Sequence, residues 1–297
     1  MLNLEKVKET ISVVDDQIGQ PTWTKDLVSQ IIAMVDAKVP AGTYHGTSSG
    51  QTSWFGLTQR IYKLIEADPN RVRVVHPGVD LDVFVPGNQI AARKDLGLAE
   101  DAIVLLFVGR IQPLKAPDVL IKAAAEILKR NPELRSRLVV AICGGPSGSG
   151  LERPDSLVTL ADQLGVSDVV KFVPPTSRAE LVKWFQSASV CVVPSYSESF
   201  GLVAIEAQAC GTPVIAARVG GLPTAVRDGI SGVLVDGHEA GAWADQILTV
   251  VTNDALRIKL STGAIAHASH FGWEDTTDKL ISVYNEAVKS SIVRAKA

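Results

Sequence analysis

Val190-Cys191-Val192-Val193-Pro194-Ser195-Tyr196-Ser197-Glu198-Ser199-Phe200-Gly201-Leu202-Val203-Ala204-Ile205-Glu206-Ala207-Gln208-Ala209-Cys210-Gly211-Thr212-Pro213-Val214-Ile215-Ala216-Ala217 reads as strand, polar loop, helix and strand. Pro194 ends the first apolar run, and Gly211-Thr212-Pro213 stops the helix before the second. Both runs are continuously apolar, as strands of a parallel sheet covered on both faces must be. The same rhythm extends outward from about residue 72. Strands are expected at Val72 to His76, Ile103 to Val108, Leu138 to Cys143, Val169 to Val173, Val190 to Val193, Val214 to Ala217 and Val233 to Val235. Helices are expected at Pro117 to Arg130, Ser156 to Leu164, Arg178 to Ser187, Leu202 to Ala209 and Ala240 to Val251. The fold class is therefore α/β, a doubly wound parallel sheet whose ligand lies beyond the carboxyl ends of its strands.

Residues 1 to 71 read differently. Trp23, Tyr44, Trp54 and Tyr62 are scattered among polar residues, and Gly42 to Gly50 is rich in Gly, Ser and Thr. Only Leu27 to Val35 and Gly56 to Ile65 recur at helical spacing, so this segment is too poor in strands for a second doubly wound domain. Two further helices, Ala255 to Ala268 and Glu274 to Lys289, follow the sheet. The division expected is 1–71, 72–290 and a tail at 291–297.

Composition narrows the chemistry. The 297 residues carry 29 Lys+Arg against 32 Asp+Glu, a net charge of -3, with no block of like charges. A protein that tracks nucleic-acid phosphates is disfavoured. The longest apolar runs fall well short of the roughly 18 to 20 residues of a membrane span. The N-terminus lacks the apolar stretch of a secretory signal, so the expected address is cytoplasmic. Cys143, Cys191 and Cys210 have no C-x-x-C spacing and read as core residues, not as a zinc site or disulfide framework. Among the five histidines only His267 and His270 stand at helical spacing, which reads as a solvated helix face; no metal is expected.

Glu206 lies about one turn into its helix, and its neighbours at three and four are Leu202, Val203, Ala209 and Cys210. A carboxylate on an apolar face needs a partner, either an internal cation or the hydroxyls of a ligand. Glu198 precedes the helix, where the backbone amides of Ser199, Phe200 and Gly201 are expected to be free for an anion or a sugar oxygen. It could equally complement the helix dipole. A glycosidase pair is disfavoured because both acids hang from one loop and helix. In Phe107-Val108-Gly109-Arg110-Ile111-Gln112-Pro113-Leu114-Lys115-Ala116-Pro117 a buried strand ends in Gly109 and delivers two cations. Gly109 permits close backbone approach, Arg110 offers a planar fork and Lys115 a point charge, together suited to a diphosphate. The alternative is a basic loop facing water. Cys143-Gly144-Gly145-Pro146-Ser147-Gly148-Ser149-Gly150 is another glycine-rich strand end, without Walker spacing.

This combination resembles the nucleotide-sugar-binding C-terminal domain of the family 4 retaining glycosyltransferases, which have the GT-B fold of two facing Rossmann-like domains. The motifs are Val75-His76-Pro77-Gly78-Val79-Asp80 with Phe84 and Pro86-Gly87, Val108-Gly109-Arg110 with Lys115, the Glu198 and Glu206 pair, and Phe271-Gly272-Trp273. The resemblance runs from about residue 71 to 290. Gln112-Pro113-Leu114-Lys115, Ile142 to Gly148 and Ala216-Ala217-Arg218-Val219-Gly220-Gly221-Leu222-Pro223 look most like the branch that transfers N-acetylglucosamine from its UDP conjugate to inositol phosphate in mycothiol biosynthesis.

The resemblance implies that Arg110 and Lys115 hold the diphosphate and stabilise the UDP leaving group, that Glu198 with the Ser199 to Gly201 amides positions the donor sugar, and that Glu206 binds ribose. Gly109, Gly144 and Leu202 fall at donor-binding positions of the same motifs. It implies no enzymic nucleophile and no cofactor beyond the UDP-sugar substrate. One departure concerns the base: that branch has an arginine near uracil where this chain has Pro174-Pro175-Thr176.

Val13 to Thr24 and Gly42 to Gly56 resemble a C-terminal stretch of dTDP-4-dehydrorhamnose reductase, over about residues 11 to 71. Reductase activity does not follow. Four residues after Tyr44 comes Ser48, and four after Tyr62 comes Glu66, so the Tyr-x-x-x-Lys pair has no counterpart in this segment. The expectation is a donor-binding half of a glycosyltransferase joined to a reductase-like fragment. A second copy or another protein would supply the acceptor half, and the alternative is a non-catalytic nucleotide-sugar-binding module.

Overall fold

The computed structural model describes residues 11–13, 18–22, 24–40, 50–66, 68, 72–145 and 154–294. The chain divides into two compact units, His76–Asp278 and Met1–Val75 with Lys279–Ala297.

The larger unit is built on one six-stranded, all-parallel sheet. Its elements in chain order, after three short strands and two helices of the other unit and its strand β4, are α3 (Gln89–Asp95), β5 (Ile103–Val108), α4 (Pro117–Arg130), β6 (Leu138–Cys143), α5 (Pro154–Gln163), β7 (Val170–Val173) and α6 (Arg178–Ser187). They continue through β8 (Val190–Val193), α7 (Leu202–Ala209), β9 (Val214–Ala217), α8 (Leu222–Ala225), β10 (Gly232–Val235), α9 (Ala240–Val251), α10 (Asp254–Ala268) and α11 (Trp273–Arg294), the last shared with the smaller unit. The strand order is β10-β9-β8-β5-β6-β7. The chain builds outward from β5 to β7, crosses back, and builds outward again from β8 to β10. Right-handed crossovers then place α4 and α5 on one face and α6 and α7 on the other. Packing agrees: α4 lies against α9 and α5, while α7 lies against α6 and α10.

Sequence explains the elements directly. β5, β6, β8 and β9 are almost wholly buried, as continuous apolar strands between two helical layers must be. α4 starts with Pro117 in its first turn, carries Asp118 there and Lys129 and Arg130 in its last turn, and buries Val119, Leu120, Ile121, Ala123, Ala124, Ile127 and Leu128. Leu105 and Leu106 are fully buried at the centre. Truncating either to alanine costs about 2–5 kcal/mol.

The strand expected at Val72 to His76 is not part of this sheet. Only Val72–Arg73 (β4) is extended in a ladder, parallel to β1 (Ile11–Ser12) in the smaller unit. From His76 the chain instead joins the far motif: Val79 N–H donates to Phe271 O at 2.7 Å, Thr276 Oγ1 donates to His76 O at 3.2 Å, and Gly78 packs beneath the Trp273 ring. α3 was not legible as a helix because it is only seven residues long. Asn88 caps it, and its buried Arg93 donates to Ser187 O, Glu100 O and Ser189 Oγ.

The smaller unit contains α1 (Thr24–Asp36), α2 (Trp54–Leu64), and the antiparallel pair β2 (Ile18–Gly19) and β3 (Thr52–Ser53). Its described core is Tyr62 with Val13, Phe55 and Ile61. Trp23, Tyr44 and most of Gly42 to Gly50 lie outside the described residues. The three cysteines are buried and unpaired. No helix among the described residues is long and apolar enough to cross a membrane, and no described group of His, Cys, Asp and Glu is placed to hold a metal ion.

Candidate active site

The chain reverses its direction of travel between β5 and β8, and two neighbouring strands whose connections leave in opposite directions open a crevice at their carboxyl ends. The loops leaving these strands carry the residues singled out in the sequence. After β5, Gly109 and Arg110 lead to a turn of 3-10 helix at Pro113–Lys115, and Ala116, at φ +51°, turns the chain into α4. After β8, Pro194 to Gly201 leads into α7.

These two loops meet. Lys115 Nζ lies 2.5 Å from Glu198 Oε2, with side chains only 23% and 14% exposed. Ser195 Oγ donates to the same oxygen at 3.4 Å. Tyr196 N–H donates to Leu114 O at 2.9 Å, so the loops are joined by backbone as well as by charge. Among the described residues the amides of Ser199, Phe200 and Gly201 donate to nothing. Phe200 itself is buried, its ring stacked on His76 at 5.1 Å and near Phe271 at 5.5 Å, so only its backbone faces the crevice. Leu202 is exposed at the first position of α7.

A cavity of about 360 Å³ adjoins Arg110. It exists because Val108, Cys143 and Val173 stand in register, so β5, β6 and β7 end at one level. Gly109 and Gly144 follow, at φ +156° and +154°, and a Cβ on Gly144 would overlap the Gly109 carbonyl oxygen. The ladder continues past the strands through Gly109 N–H to Cys143 O, Gly144 N–H to Val173 O and Ile111 N–H to Gly145 O. The walls are thus mostly backbone and apolar side chains, with Pro174, Pro175 and Thr176 closing one end. Arg110 is exposed and pairs with no acid among the described residues. The Thr176 hydroxyl is buried without a partner.

Glu206 is half-buried on α7 and lines no part of this cavity, and its carboxylate makes no hydrogen bond among the described residues. Burial pushes its carboxyl up from 4.5 to about 7, against the pull of Arg178. The internal cation foreseen as one alternative is therefore present as a charge, though not as a bonded pair. His267 is not simply solvated: its Nε2 lies 3.1 Å from Thr224 O and its ring meets Phe271 at 5.0 Å. Sequence reading missed Ser195, Tyr196 and His238 around Glu198. The Tyr196 ring lies tilted against His238 with centroids 4.0 Å apart, and His238 Nε2 lies 3.2 Å from Ser195 O. Their proximity arises from β8 and β10 ending at one edge, which no local pattern announces.

A six-stranded doubly wound parallel sheet with helices on both faces is the architecture of one Rossmann-like half of a GT-B protein. Residues 88–267 match the family Glycosyl transferases group 1, and the chain belongs to that family. Residues 1–78 match the RmlD substrate binding domain, in agreement with the reductase-like reading of that segment. Among similar proteins is a D-inositol 3-phosphate glycosyltransferase of Nocardioides sp., 58% identical over 235 residues, covering 77% of this chain and 51% of the relative. Another, from Kribbella flavida, is 57% identical over 290 residues, covering 98% of this chain and 65% of the relative. The chain thus spans about half to two thirds of the length of these curated relatives. Among solved structures, sucrose-phosphate synthase of Thermosynechococcus elongatus superposes with a TM-score of 0.66 at 30% identity, covering 79% of this chain and 57% of that one. Anabaena HepE, solved in complex with UDP, shares the fold with a TM-score of 0.67 at 22% identity, covering 77% and 61%.

Proposed function

We propose that this chain binds a UDP-sugar and forms the donor half of a retaining glycosyltransferase that moves N-acetylglucosamine to a small polyol phosphate, inositol phosphate foremost. The observation that carries the reading is the Lys115–Glu198 pair at the strand switch point, next to the cavity that Arg110 borders. Its support from relatives is the inositol-phosphate specificity in their names.

The residues divide the donor into parts. The apolar, backbone-walled cavity takes the nucleobase, Arg110 and Lys115 take the diphosphate, and Glu198 with the free amides after it takes the sugar. When the bond between the anomeric carbon and the diphosphate oxygen breaks, its electron pair leaves with UDP. Lys115, held in a partly shielded crevice, and Arg110 at the cavity's border stabilise that growing charge. Glu198, parted from Lys115 by the incoming phosphate, accepts hydrogen bonds from sugar hydroxyls and fixes the ring. Glu206 reads the ribose diol. The acceptor hydroxyl attacks from the face that UDP vacates and passes its proton to the departing diphosphate oxygen, so no residue of this chain serves as nucleophile and no cofactor besides the donor is required. The acceptor pocket is assigned to a second copy of the chain or to a partner protein.

Calorimetry with UDP tests the phosphate assignment: Arg110→Ala and Lys115→Ala are expected to abolish measurable binding, and equal affinity in these variants rejects it. A transfer assay with UDP-N-acetylglucosamine and inositol phosphate separates enzyme from binding module. The second reading is a non-catalytic nucleotide-sugar-binding module. Product above a Glu198→Ala control excludes it.

A further inference from the structure

We propose that Gly220 and Gly221 are positioning residues for Glu198, holding its carboxylate at the crevice by a side-chain-free contact between the loops after β8 and β9. The proposal rests on the reading of Glu198 as the acid that engages the donor sugar.

Gly220 has φ +52°, in the left-handed region, and a Cβ added to it would overlap the carbonyl oxygen of Glu198. A Cβ on Gly221 would overlap the carbonyl oxygen of Ser199 and sit 2.6 Å from Phe200 Cα. Gly221 N–H donates to Glu198 O at 3.0 Å. From the other side Gly201, at φ +98°, admits Leu222, whose Cδ2 would lie 2.7 Å from a Cβ there. Gly220 and Gly221 therefore let backbone lie directly on backbone, Gly201 makes room for the Leu222 side chain, and the peptide of Glu198 is pinned at its carbonyl. Its side chain leaves this fixed point toward Lys115 and Ser195. Neither Gly220 nor Gly221 lines the cavity beside Arg110. Their contribution passes through Glu198 and the amides of Ser199 to Gly201.

An alanine at either position must push the Glu198–Phe200 backbone back by on the order of 1 Å to reach ordinary contact distance. Displacements of that size cost about a hundredfold where a group must meet a reacting sugar. Arg110 and Lys115 themselves belong to the loop after β5, so both still meet the diphosphate when Glu198 moves away, with Lys115 released from its pair. The clamp therefore predicts loss of selectivity for the sugar, with UDP binding retained.

The test is the ratio of affinities for UDP-N-acetylglucosamine and UDP, measured by calorimetry on the full chain. Gly220→Ala and Gly221→Ala are each expected to lower that ratio about tenfold or more without weakening UDP binding. Gly229→Ala is the control for mere strain, because Gly229 has φ +71° but no atom within 4 Å of an added Cβ; its ratio is expected to stay at the wild-type value. An unchanged ratio in folded Gly220 and Gly221 variants, or an equal fall in Gly229→Ala, overturns the proposal. Should both alanine variants fail to fold, Leu222→Val, which thins the packing behind Gly201, is expected to lower the ratio about threefold, and no change there overturns it as well. Wild-type UDP affinity in Lys115→Ala would instead reject the donor site itself, a distinguishable failure.

Discussion

Replacing Glu198 by glutamine keeps the shape of the side chain and removes its charge from the partner of Lys115. At the observed 2.5 Å, with both side chains largely shielded from water, an effective dielectric near 20 gives an attraction of several kcal/mol before solvation is counted. Rehydration of the freed ammonium and side-chain entropy return most of it, leaving about 1–2 kcal/mol that an incoming diphosphate must overcome in the wild type. Glu198→Gln is therefore expected to bind UDP about 5 to 30 times more tightly. UDP-N-acetylglucosamine gains the same release but loses a charge-assisted hydrogen bond to the sugar, about 1.5–3 kcal/mol, so its advantage over UDP shrinks tenfold or more. Titration calorimetry of both ligands at about 0.15 M salt reads the two effects, which persist at that ionic strength because the pair is partly buried. UDP affinity that falls or stays unchanged in Glu198→Gln would refute the assignment of Lys115 to the diphosphate.

Glu206 ties stability to pH. Its folded pKa of about 7 lies above the 4.5 of the unfolded chain, so the native state holds the proton more tightly and stability falls as pH rises from about 4.5 to 7. Urea unfolding of Glu206→Gln should lack this fall and leave the variant up to about 3 kcal/mol more stable than wild type at pH 8; parallel pH curves would contradict the burial. Without touching the sheet, Arg110→Lys should weaken UDP binding about tenfold by replacing a planar fork with a point charge, and equal affinity would show that the guanidinium makes no bidentate contact. Burial pushes the Cys143 and Cys210 thiols up to about 12 and Cys191 higher still, so Ellman's reagent at pH 8 should find no reactive thiol until denaturant is added.

Much of the larger unit was legible because its signals are local. β5, β6, β8, β9, α4, α6, α7 and α9 have the boundaries their apolar runs and stop residues imply, and β7 and β10 shift by one residue. The half-buried setting of Glu206 followed from its neighbours at three and four. What escaped was set by distance along the chain. α3 is too short to show a period and is held by Arg93, which reaches acceptors more than ninety positions away. Lys115 and Glu198 were each singled out, but their bond spans 83 positions and follows only from β5 and β8 lying side by side. The stretch Val72 to His76 looked like a strand by composition. Its flanks instead satisfy their polar groups against residues near 271 and 276, so no ladder forms there within the large sheet.

The pairing of β5 with β8 also sets the order in which the protein can come into being. As the polypeptide leaves the ribosome, β5, β6 and β7 with their helices can assemble first, carrying Arg110 and Lys115 on an open edge whose neighbour has yet to be synthesised. Until β8 closes that edge, the two cations face no acid and β5 offers unpaired peptide groups along one side. The cation-bearing edge thus waits for β8 and the loop after it, and until then the emerging half-sheet keeps one long unpaired side.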